Sequence, residues 1–390
     1  ASILYAMGIT QHTHGTDNVT AIADLAMVTG NVGKPSTGVN PLRGQNNVQG
    51  ACDMAALPNV YPGYQAVINP ELQAKFEKAW GAKLDDNVGL TLTNMFEAID
   101  DGRVKAMYIL GENPVISDPD SAHIEKALDK LEFLVVQDIF LTETAQYADV
   151  VLPGASFAEK DGSFTNTERR VQRVRKAIDP VGNSRPDWQI TCEIAKRMGA
   201  KGFDFADPEA VMQEIAELTP IYGGISYDRI NLVGLQWPCP NKDHAGTQYL
   251  HNEQFSCGQG NFVPLEYKPP AERADAQYPL IMTTGRSLYH FHTGTMTRKV
   301  DGLNAMHPEE LVEINPADAK GIANGDRISV SSRRGKIVAK AKVTESVPPG
   351  VVFMTFHFAE SSANVLTNPA YDPVSKIPEL KVAAVKVEKA

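Results

Sequence analysis

The chain has 390 residues, 43% hydrophobic and 22% charged, the balance of a soluble globular protein with room for two or three domains. Against 47 Asp and Glu stand 37 Lys and Arg, a net charge of −10. That sign speaks against nucleic acid or an anionic membrane surface as the main partner, since both require a basic face. No apolar run approaches ~18 residues, so no direct membrane span is expected. The four cysteines, Cys52, Cys192, Cys239 and Cys257, include no C-x-x-C pair. They read as reduced packing residues rather than as an iron–sulfur or zinc set.

The chain opens on ASILYAMGIT, and Ser2 to Met7 reads as a buried strand running into Gly8. A start inside a core strand predicts a chain continued upstream, which makes the lack of a leader uninformative. Next, VTAIADLAMVTG carries apolar residues at three- and four-residue spacing up to Gly30, the pattern of a helix. Residues 33–54, GKPSTGVNPLRGQNNVQGACDM, break all periodicity, and loops of that length are usually functional. KAMYIL, FLVVQD and DVVLP then read as strands, each ending in a polar or glycine turn, with helices over SAHIEKALDKL and TETAQYA. That alternation predicts an α/β fold with a doubly wound, largely parallel sheet and a ligand crevice at the strands' carboxyl ends. Helices return at DWQITCEIAKRMG and PEAVMQEIAEL, and residues 220–275 are irregular. From Pro279 onward the texture becomes short β runs (PLIMTTG, DRISVSS, GKIVAKAKVTE, GVVFMTFHF, KVAAVKVE), with only NPADAKGIA offering a helix. The expected division is an α/β region over 1–275 and a separate β-barrel over 276–390.

Arg43 is the only guanidinium in a run of glycines and amides extending to Gly50. Such a loop suits close backbone approach to a ligand, with a rigid fork for a carboxylate or phosphate. It also suits an Asn/Gly surface turn held by its own side chains. Gly111-Glu112-Asn113 and Gln137-Asp138 each follow an apolar strand, where such side chains either bind ribose and purine edges or cap a helix. Asp187, ahead of a helix, carries the same two readings. After the first β run of the barrel come Arg286 and then Tyr289-His290-Phe291-His292-Thr293-Gly294-Thr295, suited to a phosphate or a large heteroaromatic ligand. His290/His292 has no third ligand nearby and His12/His14 is a weak pair that reads as solvent-facing, which argues against a metal site. A nucleophile elbow, a P-loop and a dinucleotide fingerprint are all missing.

With those stretches in hand, the chain resembles the molybdenum- or tungsten-dependent formate dehydrogenases, within the bis-molybdopterin guanine dinucleotide oxidoreductases. YAMGITQHTHG, GVNPLRGQNNVQGACDM, YILGENP, VVQDIF, DVVLP, GRSLYHFHTGTMTR and FMTFHFAESSANVLTN stand in family order along the whole chain. The resemblance implies the C-terminal portion of a catalytic subunit oxidising formate to CO2, or the reverse, with a double-psi-type barrel at its end. The 4Fe-4S cluster and the selenocysteine or cysteine ligand of the metal would lie in the missing N-terminal portion or a separate chain. An electron-transfer iron–sulfur subunit is implied as partner and the cytoplasm as location. By residue, the resemblance gives Arg43 the orientation of formate and Met7, Gly8, Gln11 and Gln45 the pterin pocket. Gly111, Glu112, Asn113, Gln137, Asp138 and Asp187 match guanine-dinucleotide contacts. Arg286, His290, His292, Thr293, Asn364 and Lys381 match barrel-side contacts to pterins and phosphates. Two other readings stay open: a pterin-binding or assembly module without turnover, and a sister oxidoreductase with another substrate.

Overall fold

A computed structural model describes all residues, 1–390. Strand β1 is Ser2–Tyr5, followed by one turn of helix α1 (Met7–Thr10) and by α2 (Gly15–Val28). The helix expected before Gly30 is therefore present, and Gly30 leaves it at φ +64. The expectation of a buried strand at the start is corrected. β1 pairs only with β2 (Gly38–Pro41), in parallel, and Leu4 is 63% exposed. A two-stranded sheet has too little face to bury both sides of an apolar strand. The aperiodic stretch also holds more order than its sequence suggests. Besides β2 it contains helix α3 (Val48–Asp53), too short to display a period.

Beyond a small hairpin, β3 (Val60–Tyr61) and β4 (Gln65–Ala66), helix α4 runs from Pro70 to Trp80. Asn69 caps it by accepting from the Glu71 and Leu72 N–H groups. Helix α5 (Leu92–Asp100) leads into β5 (Ala106–Leu110), α6 (Pro114–Ser117), α7 (Ser121–Leu128), β6 (Phe133–Asp138) and β7 (Val150–Pro153). Strands β5, β6 and β7 form one sheet in that order, with β5 and β6 parallel from Ala106↔Phe133 to Leu110↔Gln137. Phe96, Ile99, Ile109, Leu134 and Val136 make the core beneath. TETAQYA is not an α-helix but a single 3-10 turn over Thr144–Tyr147. There the side-chain oxygen of Asn113 accepts both the N–H and the hydroxyl of Thr144, in competition with helical bonding.

β8 (Gly162–Thr165), β9 (Arg170–Val174) and β10 (Leu235–Gln236) form an antiparallel sheet that the sequence reading did not foresee. Between them in sequence lie α8 (Asp187–Arg197) and α9 (Pro208–Leu218), both as expected.

The C-terminal region closes into a six-stranded barrel: β11 (Leu280–Gly285), β12 (Leu311–Ile314), β13 (Arg327–Ser331), β14 (Lys336–Val343), β15 (Val351–Thr355) and β16 (Ala383–Lys389). β11/β15 and β12/β14 are parallel; the other pairings are antiparallel. Met282, Val312, Ile314, Ile328, Val330, Val352, Met354 and Val385 fill the interior by strand alternation. Two expectations change here. NPADAKGIA forms turns, because Asn315 accepts the Ala317 N–H and donates to the Val347 carbonyl. The only α-helix of this region is instead α10 (Asp301–Met306). β12, four residues long, was missing from the anticipated strands.

The chain groups into two compact units, residues 1–6, 25–92 and 152–261, and residues 7–24, 93–151 and 262–390. No helix is long and apolar enough to cross a membrane.

Candidate functional site

In the first unit the site is built around Arg43, between the end of β2 and the start of α3. The Leu42 N–H donates to the Tyr5 carbonyl at 2.7 Å, continuing the β1/β2 pairing to the residue before Arg43. The Arg43 backbone N–H donates to Thr167 Oγ1 at 3.3 Å. Four residues on, the Asn47 side chain accepts the Thr165 N–H at 2.9 Å, tying the loop to β8. Gly50 makes that approach possible: a Cβ there would stand 2.2 Å from Asn47 Oδ1 and 3.3 Å from the Thr165 nitrogen. The Asn47 amide is thus a tertiary tie rather than part of a self-contained turn.

Arg43 itself is half-buried. Nη2 donates to Gln49 Oε1 at 3.4 Å, and Nε is shut off from solvent with no acceptor. An N–H donor left bare beside a charged group is costly unless a ligand accepts from it. Burial raises the Tyr5 hydroxyl and the Cys52 thiol above their ordinary ranges, and the Arg43 charge works against that in both. Gln45, half-buried, lies in the same loop.

Behind Arg43 stands a polar network, centred on the buried Asp53, that sequence reasoning did not single out. Gln49 Nε2 donates to Asp53 Oδ1 and to the Tyr64 hydroxyl, both at 2.8 Å. Tyr64 and Tyr222 donate in turn to the Asp53 carboxylate at 2.8 and 2.6 Å, and Thr165 bonds the Tyr222 hydroxyl at 2.8 Å. Asp53 is wholly buried. Burial, and then the bonds and charge of Asp53, push both tyrosine hydroxyls far up. A signal existed: Gln49 and Asp53 are four residues apart, one face of a helix, inside the quoted motif.

Asp187 is the first residue of α8, with Pro186 before it, and its carboxylate pairs with Lys160 Nζ. Both line a cavity of about 290 Å³ with Asn47, Ser163, Phe164 and Trp188. One cavity therefore brings Asp187 together with the Arg43 loop.

The second unit carries the remaining candidates in three groups. Met7, Gly8 and Gln11 lie on and just after α1, and His12 Nε2 lies 2.9 Å from the Gly8 carbonyl. The adjoining residues Thr13 and Thr16 donate to Glu379 and Asp372 near the end of the chain. Burial alone would raise Asp372, but N–H groups of Thr16, Ser375 and Val374 bring it down to about 2.

At the carboxyl ends of β5 and β6, the register sets Leu110 against Gln137. Gly111 (φ +65) and Glu112 are exposed, while Gln137 is 1% exposed and accepts from the Tyr108 hydroxyl. Asp138 accepts from the Ile139 and Phe140 N–H groups. Asn113 is buried, and its amide joins Glu143 to Thr144 without capping α6. Although its surface is exposed, Glu112 is shifted upward, by surrounding protein first and by the Asp138 charge after it. Asp118, a further carboxylate here, is pushed up to about 7 by burial and by Glu112. Residue spacing gave no hint of Asp118.

On the barrel, Arg286 lies over Phe356 with 5.5 Å to the ring centre. Burial and the Arg286 charge push His292 down to about 4 and Lys381 to about 8. Lys381 Nζ donates to the Thr284 carbonyl at 2.7 Å, and neither cation has a carboxylate partner within ion-pair distance. Two cations and a neutral imidazole without a counter-ion suit a phosphate-bearing group. Gly294 (φ +73) passes so close to the His357 carbonyl that a Cβ would stand 2.6 Å from it. His290, buried, faces Thr297 and the His307 carbonyl, and Thr293 bonds Thr295. Asn364, also buried, donates to the Ile116 carbonyl. His290, Thr293 and Asn364 are thus engaged with neighbouring protein groups, and Arg286, His292 and Lys381 gather on one patch.

A model of the molybdopterin oxidoreductase family matches residues 1–197, and one of the molybdopterin dinucleotide-binding domain matches residues 280–384. F420-dependent formate dehydrogenase 1 subunit alpha of Methanococcus maripaludis is 55% identical over 394 residues, covering 100% of this chain and 58% of that protein. Formate dehydrogenase H of Escherichia coli is 40% identical over 397 residues, 100% of this chain and 55% of that protein. The chain thus spans somewhat over half the length of these curated relatives. Among solved structures, acetylene hydratase from Pelobacter acetylenicus superposes with a TM-score of 0.71 at 18% identity, over 100% of this chain and 61% of that one. That likeness shows the fold.

Proposed function

The chain belongs to the molybdopterin oxidoreductase family, and from that premise we propose that it is part of a formate dehydrogenase catalytic subunit in which Arg43 orients formate. The observation that carries the reading is the half-buried Arg43 fork with an unpartnered Nε, in a loop held by tertiary ties. The residues fit a bis-molybdopterin guanine dinucleotide: unpaired cations on the barrel for phosphates, acceptors at the β5/β6 edge for guanine and ribose. When bound, the molybdenum or tungsten centre supplies the two-electron sink.

This chain's residues supply position and charge. Formate loses two electrons and a proton to become CO2, so the bound species passes from anion to neutral. A guanidinium that grips the carboxylate with two parallel N–H bonds fixes where the C–H points, then loses its attraction as the charge leaves. Met7, Gly8, Gln11 and Gln45 are assigned to the pterin pocket. Gly111, Glu112, Asn113, Gln137, Asp138 and Asp187 are assigned to the guanine dinucleotide, and Arg286, His290, His292, Thr293, Asn364 and Lys381 to the barrel side. We assign the 4Fe-4S cluster and the metal's protein ligand to residues outside this chain, an iron–sulfur electron-transfer subunit as partner, and the cytoplasm as location. The domain division at 275/276 belongs to the same proposal. Formate-dependent reduction of a dye by the intact protein tests the activity, and no reduction by metal-loaded protein overturns it.

The dinucleotide assignment has its own test. Changing Glu112 and Asp138 together to Ala is expected to lower pterin content below half. Each lost bond to a charged acceptor is worth roughly 1.5–3 kcal/mol. Guanosine monophosphate released by acid, measured per protein, checks this; full occupancy would leave the two carboxylates as turn acceptors only.

A further inference from the structure

We propose that Gln49 is a positioning residue for Arg43 and that the buried Asp53 carboxylate dictates which way the Gln49 amide faces. The inference rests on the assignment of Arg43 to formate. Asp53 is acceptor-only when ionised, so whatever meets it must donate. Tyr64 and Tyr222 donate their hydroxyl protons to it, which leaves the Tyr64 oxygen as an acceptor. Both acceptors, Asp53 Oδ1 and Tyr64 Oη, lie 2.8 Å from Gln49 Nε2, so the two hydrogens of the amide are taken. The amide oxygen is thereby turned toward Arg43 Nη2, at 3.4 Å. In the reverse orientation a donor would face a donor at Arg43, and an oxygen would face the Asp53 carboxylate. The device orients the fork without neutralising it: a neutral acceptor holds one nitrogen and leaves Nε without a partner. A carboxylate in place of Gln49 would compete with formate for the guanidinium.

Three variants of the intact enzyme test this. Gln49→Met removes the acceptor at nearly constant volume. It is expected to lower kcat/KM for formate about tenfold or more, carried by kcat, because charge attraction survives and orientation does not. Gln49→Glu is expected to work at low pH, where a protonated carboxyl donates to Asp53 and accepts from Arg43, and to fail as that carboxyl ionises. The wild type lacks that limb. Asp53→Asn brings a donor to the amide and lets it turn, so it is expected to cost activity alone but less than about twofold within Gln49→Met. Additive losses, or a pH profile unchanged in Gln49→Glu, would overturn the proposal. Thermal melts and pterin content identify variants that merely misfold. A readout free of turnover is modification of Arg43 by phenylglyoxal, followed by mass spectrometry. Gln49→Met should speed it severalfold, and an unchanged rate refutes the positioning. If the wild type oxidises no formate, the functional reading fails, and this last measurement still decides the Arg43–Gln49 contact.

Discussion

Arg43→Lys in the intact enzyme is expected to reduce kcat/KM for formate by roughly 2–4 kcal/mol of transition-state stabilisation, about 30- to 1,000-fold. Lys keeps the charge and loses the fork. Its ammonium cannot present two parallel donors, nor accept the placement that Gln49 gives to Nη2. Attraction of the anion should persist, so the loss should fall mainly on kcat. Arg43→Ala, which removes charge and fork together, should raise KM as well. Steady-state kinetics separate the two, and a change below about fivefold in the Lys variant would remove Arg43 from its role.

Much of this architecture was legible because its strands are long and apolar. AMYIL and FLVVQD announce themselves, and the glycine or amide after each marks the carboxyl edge of the sheet. Arg43 stood out as the one guanidinium in its loop, and the loop's motif carried the family. What escaped was short or held by side chains. β12 has four residues, and TETAQYA looked helical until Asn113, thirty-one positions before Thr144, took its N–H. The Tyr64 and Tyr222 hydroxyls converge on Asp53 from 11 and 169 positions away, a distance no local pattern encodes. Apolarity likewise misled at Leu4, because hydrophobic spacing does not say whether a sheet has enough strands to cover its face.

Raising pH from 5 to 9 is expected to erode the protein's stability through Glu310, and Glu310→Gln should abolish that part of the loss. Glu310 precedes β12, is 2% exposed, and accepts the N–H and hydroxyl of Thr355 at the end of β15. It replaces a strand acceptor where the β12/β15 ladder stops. Burial pushes its carboxyl up to about 8, Glu360 adds to that, and the Thr355 bonds oppose it. An unfolded carboxyl releases its proton near 4.5, so between the two values the folded state holds the extra proton. Its contribution is fully present below about 4.5 and is lost as pH rises through about 8. The slope cannot exceed about 1.4 kcal/mol per pH unit, and the whole loss is of order 3–5 kcal/mol. Gln keeps an acceptor for Thr355 and has no proton to lose. Melting temperatures of both proteins at pH 5, 7 and 9 decide the matter. The gap between variant and wild type should grow in favour of Gln with pH, and a gap that stays constant would show that Glu310 does not hold its proton in the barrel.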